Sequence, residues 1–144
     1  MDRRKNGSKH HLVVDAQGVP LAATLTGANR HDVTQLLPLV DAIPPVRGVP
    51  GAPLRKPKQA MADRAYHSEA HRMKLSCRAI ATAIARRNTP HGSGLGVFRW
   101  FVELALALMH QFKRLRVRDD RDDKVHEAFM TIACAILCWR RLHS

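Results

Sequence analysis

Two acidic residues stand where a carboxylate can do chemistry. Asp63 follows the small, apolar run Gln59-Ala60-Met61-Ala62 and precedes His67-Ser68-Glu69, which has the character of a helix start. That places a carboxylate at the C-terminal end of a short strand, the position where open α/β sheets put their ligands. Glu103 lies in RWFVELALALMHQFKR, residues 99–114. At 100° per residue, Arg99, Glu103, His110 and Arg114 fall within roughly 60° of one another, while apolar side chains take the rest of the wheel. The spacing predicts a helix buried nearly all round with one narrow polar stripe.

A carboxylate in such surroundings is costly unless it is paired or holds a cation. Glu103 has two readings: an ion pair with Arg99 one turn earlier, or a ligand that converges with Asp63 on a hard divalent ion, since Mg²⁺ takes oxygen donors. In phosphodiester chemistry two such ions about 4 Å apart activate the attacking oxygen and stabilise the leaving one. A complete site of that kind calls for a third carboxylate. Asp15 and Asp32 are available, but the first sits at a hairpin turn and the second at a helix start, and both have structural explanations. His67, His71 and the pair His10-His11 lack the Cys/His spacing of a structural zinc site. Cys134 and Cys138 stand one turn apart among apolar residues and read as core thiols.

The elements that must position these groups follow from pattern. HHLVVD (10–15) and VPLAATL (19–25), joined by Ala16-Gln17-Gly18, predict a hairpin. Val33, Leu36, Leu37 and Val40 recur at helical spacing after Asp32, a candidate N-cap, with Pro38 positioned to kink or shorten the helix. Residues 44–58, rich in Pro and Gly and carrying Arg47, Arg55, Lys56 and Lys58, form a basic loop. Beyond it come the strand ending at Asp63, a helix from about Ser68 to Cys77, a strand at 79–85, a polar loop at 86–94, and two helices at roughly 95–116 and 124–142. The order β-β-α-β-α-β-α-α predicts one α/β domain over residues 1–144, a mixed sheet with helices packed on it.

Charge points to a partner. Lys and Arg number 24 against 12 Asp and Glu, a formal net charge of +12. Such a surface favours polyanions, because each phosphate neutralised releases counterions. Arg47, Arg55, Lys56, Lys58, Arg86, Arg87, Lys113, Arg114, Arg116 and Arg118 lie in loops and at a helix end, where they could follow a phosphate backbone; a solvated basic surface is the alternative. No apolar run reaches the ~20 residues that span a bilayer, no signal-peptide core opens the chain, and the odd count of cysteines without a CxxC pair fits a reducing compartment. A cytoplasmic, nucleoid-associated protein is expected.

Several stretches, in order over almost the whole chain, carry a resemblance: GSKHHLVVD (7–15), LTGANRHDV (25–33), MADRAY (61–66), TPHGSGLG (89–96), RWFVE (99–103) and HQFKRLRVR (110–118). Together they resemble the DDE transposases of bacterial insertion sequences, in particular the IS5-like group within the broader IS4-like domain. The resemblance implies a ribonuclease-H-like catalytic core, DNA cleavage and strand transfer, and two Mg²⁺ or Mn²⁺ ions. It also implies insertion-sequence DNA as partner, and a homo-oligomer or association with a full-length transposase.

In that family the second catalytic aspartate matches Asp63, and the glutamate with an arginine four residues before it matches Glu103 and Arg99. A tyrosine and a lysine of the signature are Gly96 and His110 here, and Leu104-Ala105-Leu106-Ala107-Leu108 replaces a more polar and aromatic run. The family's first catalytic aspartate lies on a strand upstream of GSKHH, where this sequence offers only Asp2 in a charged segment. The expectation is a domain lacking that first strand and its aspartate, inactive alone, with Asp63 and Glu103 as the surviving metal ligands. The alternative is a catalytically dead basic module that binds DNA or interferes with a transposase.

Overall fold

A computed structural model describes residues 7–48, 50–86 and 96–143, with side chains of 96–98 excepted. β1 (Ser8–Val14) and β2 (Pro20–Gly27) form an antiparallel hairpin, in register from Ser8 opposite Gly27 to Val13 opposite Ala22, with an irregularity at Val13/Val14. Asp15 builds the turn: its Oδ1 accepts from the amides of Gln17 and Val19, both at 2.9 Å. Gly18 has φ +81°, and a Cβ there would come to 3.5 Å from the Phe101 ring. The turn thus needs glycine for backbone reasons.

Both faces of the hairpin are covered. His10, Leu12 and Val14 alternate with His11 and Val13 along β1, as strand periodicity requires. Leu12, with Val14, Ala23 and Leu25, packs into a core completed by Ala105, Met109, Leu115, Met130, Ala133 and Leu137. Those residues come from α3 (Gly96–Met109), α4 (Lys113–Arg116) and α5 (Asp123–Leu142). His11 and Thr26 face the other way, towards the turn that follows Asp63.

After the hairpin, residues Asp32–Gln35 form a 3-10 turn that passes into α1 (Leu36–Asp41). The N-cap is His31, with no side-chain cap bond, so Asp32 is not the cap; it pairs with Lys9 instead, Nζ to Oδ1 at 3.3 Å. Because the α-helical geometry restarts at Leu36, Pro38 falls in the first turn, where its missing N–H costs nothing. The basic loop is pinned by an antiparallel bridge between Val46 and Leu54 and by Lys56, whose Nζ donates to the Arg78 carbonyl at 2.8 Å.

β3 (Gln59–Ala62) and β4 (Ala81–Ile84) are parallel, Gln59 opposite Ala81 through Ala62 opposite Ile84, and α2 (Glu69–Cys77) makes the crossover. Ser68 caps α2 as its sequence position suggests, accepting from the His71 amide. The helix stops in a tight reversal: Ile80 N–H bonds to Leu75 O at 3.0 Å and Ala79 N–H to Ser76 O at 2.8 Å, with Ala79 at φ +55°. This is the Schellman arrangement, and it returns Ile80 onto Leu75. Leu36, Leu75, Ile80 and Ile84 make a second core with Leu37, Val40, Ala60, Ala62 and Tyr66.

Three expectations need correcting. The described strands form two separate two-stranded sheets, not one mixed sheet; between them run side-chain links such as His11 to Tyr66. The helix expected over 95–116 ends at Met109 and, after a break at His110–Phe112, resumes as the single turn α4. It is also not buried all round: Ala105 and Met109 are buried, yet Trp100 is 57 % exposed, because only one side of α3 meets the hairpin and α5. The chain is a small mixed α/β fold. Among the described residues no helix is long and apolar enough to cross a membrane.

Candidate active site and nucleic-acid interface

Asp63 leaves the carboxyl end of β3, as its sequence context indicates. Its backbone is extended, and one carboxylate oxygen caps the 3-10 turn Arg64–Tyr66 by accepting from the Ala65 amide at 2.9 Å. The carboxylate is exposed. Since β3 and β4 are parallel, the residues that follow β4 emerge at the same end. There Glu69 stands 3.5 Å from Arg86, 3.8 Å from Arg72 and 3.3 Å from His67. Arg72 also donates to the carbonyl of Ile84, the last residue of β4. The mouth of the parallel pair is therefore a mixed field of carboxylates and guanidinium groups.

Tyr66 links this mouth to the hairpin. Its hydroxyl lies 2.9 Å from His11 Nδ1, whose other ring nitrogen lies 2.8 Å from the Thr26 hydroxyl. Burial pushes the phenol well above its ordinary range, and the negative charges of Asp32 and Asp63 push it the same way. The phenol stays neutral, and Asp32 and Asp63 are near enough for both to act on it.

Glu103 and Arg99 are brought together: Arg99 Nε donates to Glu103 Oε1 at 2.7 Å, one helical turn apart. Both side chains are exposed, so the pair is worth only about 0.3–0.5 kcal/mol. The predicted polar stripe does not survive beyond it. His110 lies past the end of α3 and turns to His10, while Arg114 belongs to α4, pairs with Asp120 at 3.1 Å and sits 5.4 Å from the centre of the Phe129 ring. Glu103 is thus not a buried charge that demands a cation.

Asp63 and Glu103 offer the hard oxygen donors that a divalent ion such as Mg²⁺ or Mn²⁺ prefers. In kind they fit; in number they do not. Among the described residues, no group of three or more His, Cys, Asp or Glu is arranged to hold a metal ion. The histidines reveal something the sequence did not show. His10 Nδ1 is 3.3 Å from His110 Nε2, and His10 Nε2 is 2.9 Å from His126 Nε2. His126 is 1 % exposed. With its two nitrogens pointing to different partners, His10 bridges two imidazoles; the three do not converge on one point.

The basic residues expected to meet DNA are spread over several elements. Arg55, Lys56 and Lys58 are exposed in the loop before β3, Arg86 is exposed after β4, and Lys113, Arg114 and Arg116 are exposed on α4. Arg87 lies outside the described residues.

Comparison with known proteins agrees with the order of motifs along the chain. The family model for the transposase DDE domain matches residues 2–138. A Burkholderia cepacia protein, named as the transposase for insertion sequence element IS402, is 56 % identical over 141 residues, covering 98 % of this chain and 67 % of that protein. No solved structure matches the chain. With a family match over nearly its whole length, the chain belongs to the DDE transposases of insertion sequences.

Proposed function

We propose that this transposase domain holds insertion-sequence DNA on its basic loops and α4, and presents Asp63 and Glu103 to the divalent ions on which DDE chemistry depends, with Arg99 orienting Glu103. The observation that carries this reading is the position of Asp63 at the carboxyl end of a parallel strand pair, within a segment matched by the family model. A ribonuclease-H-like core and membership of the IS5-like group belong to the same proposal. The parallel β3–α2–β4 crossover and the antiparallel hairpin, both flanked by helices, support the first. When bound, the metal ions would activate the attacking oxygen and offset charge on the leaving one. Asp63 is held by its own cap to Ala65, and Glu103 by Arg99.

Manganese titration followed by electron paramagnetic resonance tests the carboxylates. Asp63→Asn and Glu103→Gln should each weaken Mn²⁺ binding by about tenfold, the loss of one charged ligand at roughly 1.4 kcal/mol, and leave duplex affinity within about twofold. Unchanged Mn²⁺ binding in both variants would remove them from the site. Among the described residues no third donor joins Asp63 and Glu103, and the purified chain should show no strand transfer on inverted-repeat DNA.

A second reading, a basic module that binds DNA or a transposase without catalysis, is favoured by the incomplete donor set. DNA binding is common to both. Affinity for a random duplex should fall steeply with salt, with log K against log[salt] sloping at about −0.9 per phosphate contact. Lys113→Ala and Arg116→Ala should each flatten that slope by about one contact. A slope identical to the parent's in both would take α4 out of the interface.

A further inference from the structure

Asp63 is fixed first to its own turn. One carboxylate oxygen accepts from the Ala65 amide at 2.9 Å, and the Asp63 carbonyl accepts from the Tyr66 amide at 3.2 Å. The carboxylate and the turn Arg64–Tyr66 therefore move as one body, and whatever anchors the turn also aims the carboxylate. Among the described residues the parallel pair and the hairpin share no backbone ladder, so side chains must set where that body sits against β1 and β2.

Tyr66 makes the link. Its ring packs on the second core, and its hydroxyl lies 2.9 Å from His11 Nδ1. The two rings meet edge to face, with planes at 86°. His11 is 3 % exposed, and its Nε2 lies 2.8 Å from the hydroxyl of Thr26. His11 stands opposite Thr24 in the ladder, so Thr26 is its diagonal neighbour across the hairpin. With both nitrogens engaged, the imidazole cannot turn without leaving a buried polar atom unpaired, which is costly. We propose that His11 is a positioning residue: acting through the Tyr66 hydroxyl, it holds the turn that carries the Asp63 carboxylate in place against the hairpin. The inference deepens the proposed function and rests on its reading of Asp63 as a metal ligand.

The surroundings suit a link made for position. A phenolate at Tyr66 would be repelled by both Asp32 and Asp63, so the hydroxyl keeps its proton and remains a hydrogen-bonding group for His11. The 3-10 turn Asp32–Gln35 packs beside the turn Arg64–Tyr66. It is tied to the hairpin in its own right, by the Lys9–Asp32 pair at 3.3 Å and by the Thr24 hydroxyl, which donates to Gln35 Oε1 at 3.1 Å. The hairpin thus reaches the mouth of the parallel pair by two routes. The first, through Lys9 and Thr24, ends on the turn of Asp32. The second, through His11, ends on the turn that carries Asp63.

Two substitutions at His11 separate positioning from packing. Asparagine puts a polar atom near the place of Nδ1 and none near Nε2, so His11→Asn keeps the link to Tyr66; glutamine does the reverse, so His11→Gln keeps only the link to Thr26. If His11 merely fills space, the shorter asparagine leaves the larger cavity and does the greater harm. If His11 positions Asp63, glutamine does. Two readouts on the full chain decide: Mn²⁺ titration followed by electron paramagnetic resonance, and hydrogen exchange at the Ala65 and Tyr66 amides, which bond to Asp63. His11→Gln and Tyr66→Phe, the latter retaining the ring, should each weaken Mn²⁺ binding by about threefold to tenfold, the worth of one neutral hydrogen bond. Exchange at the two amides should quicken by a similar factor, while His11→Asn stays within about twofold of the parent in both readouts. Greater harm from His11→Asn than from His11→Gln overturns the proposal, as does unchanged exchange in His11→Gln and Tyr66→Phe. Asp63→Asn in the same titration tells the failures apart. If it weakens Mn²⁺ binding and the other two variants do not, the positioning role falls and the ligand reading stands; if it has no effect, the ligand reading falls and the proposal with it.

Discussion

Leu75→Ala should cost the protein about 3 kcal/mol, within the range of roughly 2–5 kcal/mol for deleting a buried leucine side chain. Leu75 is 0 % exposed and touches the small core that holds α1, α2, β3 and β4 together. That core has four buried members, so little surrounds the cavity to collapse into it. Leu75 is also the residue onto which the reversal at Ala79 folds Ile80, so its truncation loosens the start of β4 as well. Against a total stability of about 5–15 kcal/mol, the loss is large. Urea denaturation should show a lower midpoint with an unchanged slope, and thermal melting should fall by about 10 °C. The effect should reach the carboxylate at the mouth, since β3 ends at Asp63. A midpoint within experimental error of the parent's would mean that this second core does not carry the parallel pair.

The second large effect is a loss of stability on mild acidification. His10 is lowered to about 4, first by burial and then by the charges that His126, His110 and His11 would carry if protonated. His126 is lowered by burial and by Arg118, with Asp120 and Asp123 acting against the shift; His11 is lowered by burial and by Lys9, with Asp32 opposing. All three groups are therefore less basic in the folded chain than in the unfolded one. For a histidine so shifted, the unfolded state binds the proton first, near pH 6.5, and from there down to the folded value each unit of pH removes up to about 1.4 kcal/mol per group.

Stability should be full above about pH 6.5 and decline steadily towards pH 4. The acid limb then begins where carboxylates are still ionised. Urea midpoints taken from pH 7.5 to 4.5 measure it. His10→Gln should start lower at pH 7.5, because a packed ring is lost, and show a visibly shallower decline. If the two curves run parallel, His10 is not the group that titrates.

What was legible in the sequence was local chemistry. Asp15 with Gly18 announced the hairpin turn, Ser68 announced the start of α2, and the small residues before Asp63 announced a strand ending in a carboxylate; each is decided by near neighbours. The Arg99–Glu103 pair was legible for the same reason, being one turn apart. What failed was inference from hydrophobicity to burial, and from periodicity to continuity. Trp100 and the leucine-rich run of α3 suggested a helix enclosed on all sides, whereas enclosure depends on how many neighbours the fold supplies. Arg114 seemed to extend a stripe, but the break at His110–Phe112 rotated it away. The meeting of His10 with His126 could not be read at all, because the two are 116 positions apart and each looks like an ordinary polar residue in its own segment. Nor does pattern say which strand edges pair, and the two separate sheets followed from that.

The same long separation governs how the chain can be made. The hairpin is local and can close once Gly27 is free, but the side that carries His10, Leu12 and Val14 is covered by α3 and α5, and α5 begins only at Asp123. At about 5–20 residues per second, a finished hairpin waits several seconds or more beside the ribosome with one apolar face open. The polar group on that side is His10, set among Leu12, Val14, Ala23 and Leu25, and it keeps the face from the fate of a bare hydrophobic edge. A half-buried histidine beside a core is thus also a residue that tolerates water for as long as translation lasts.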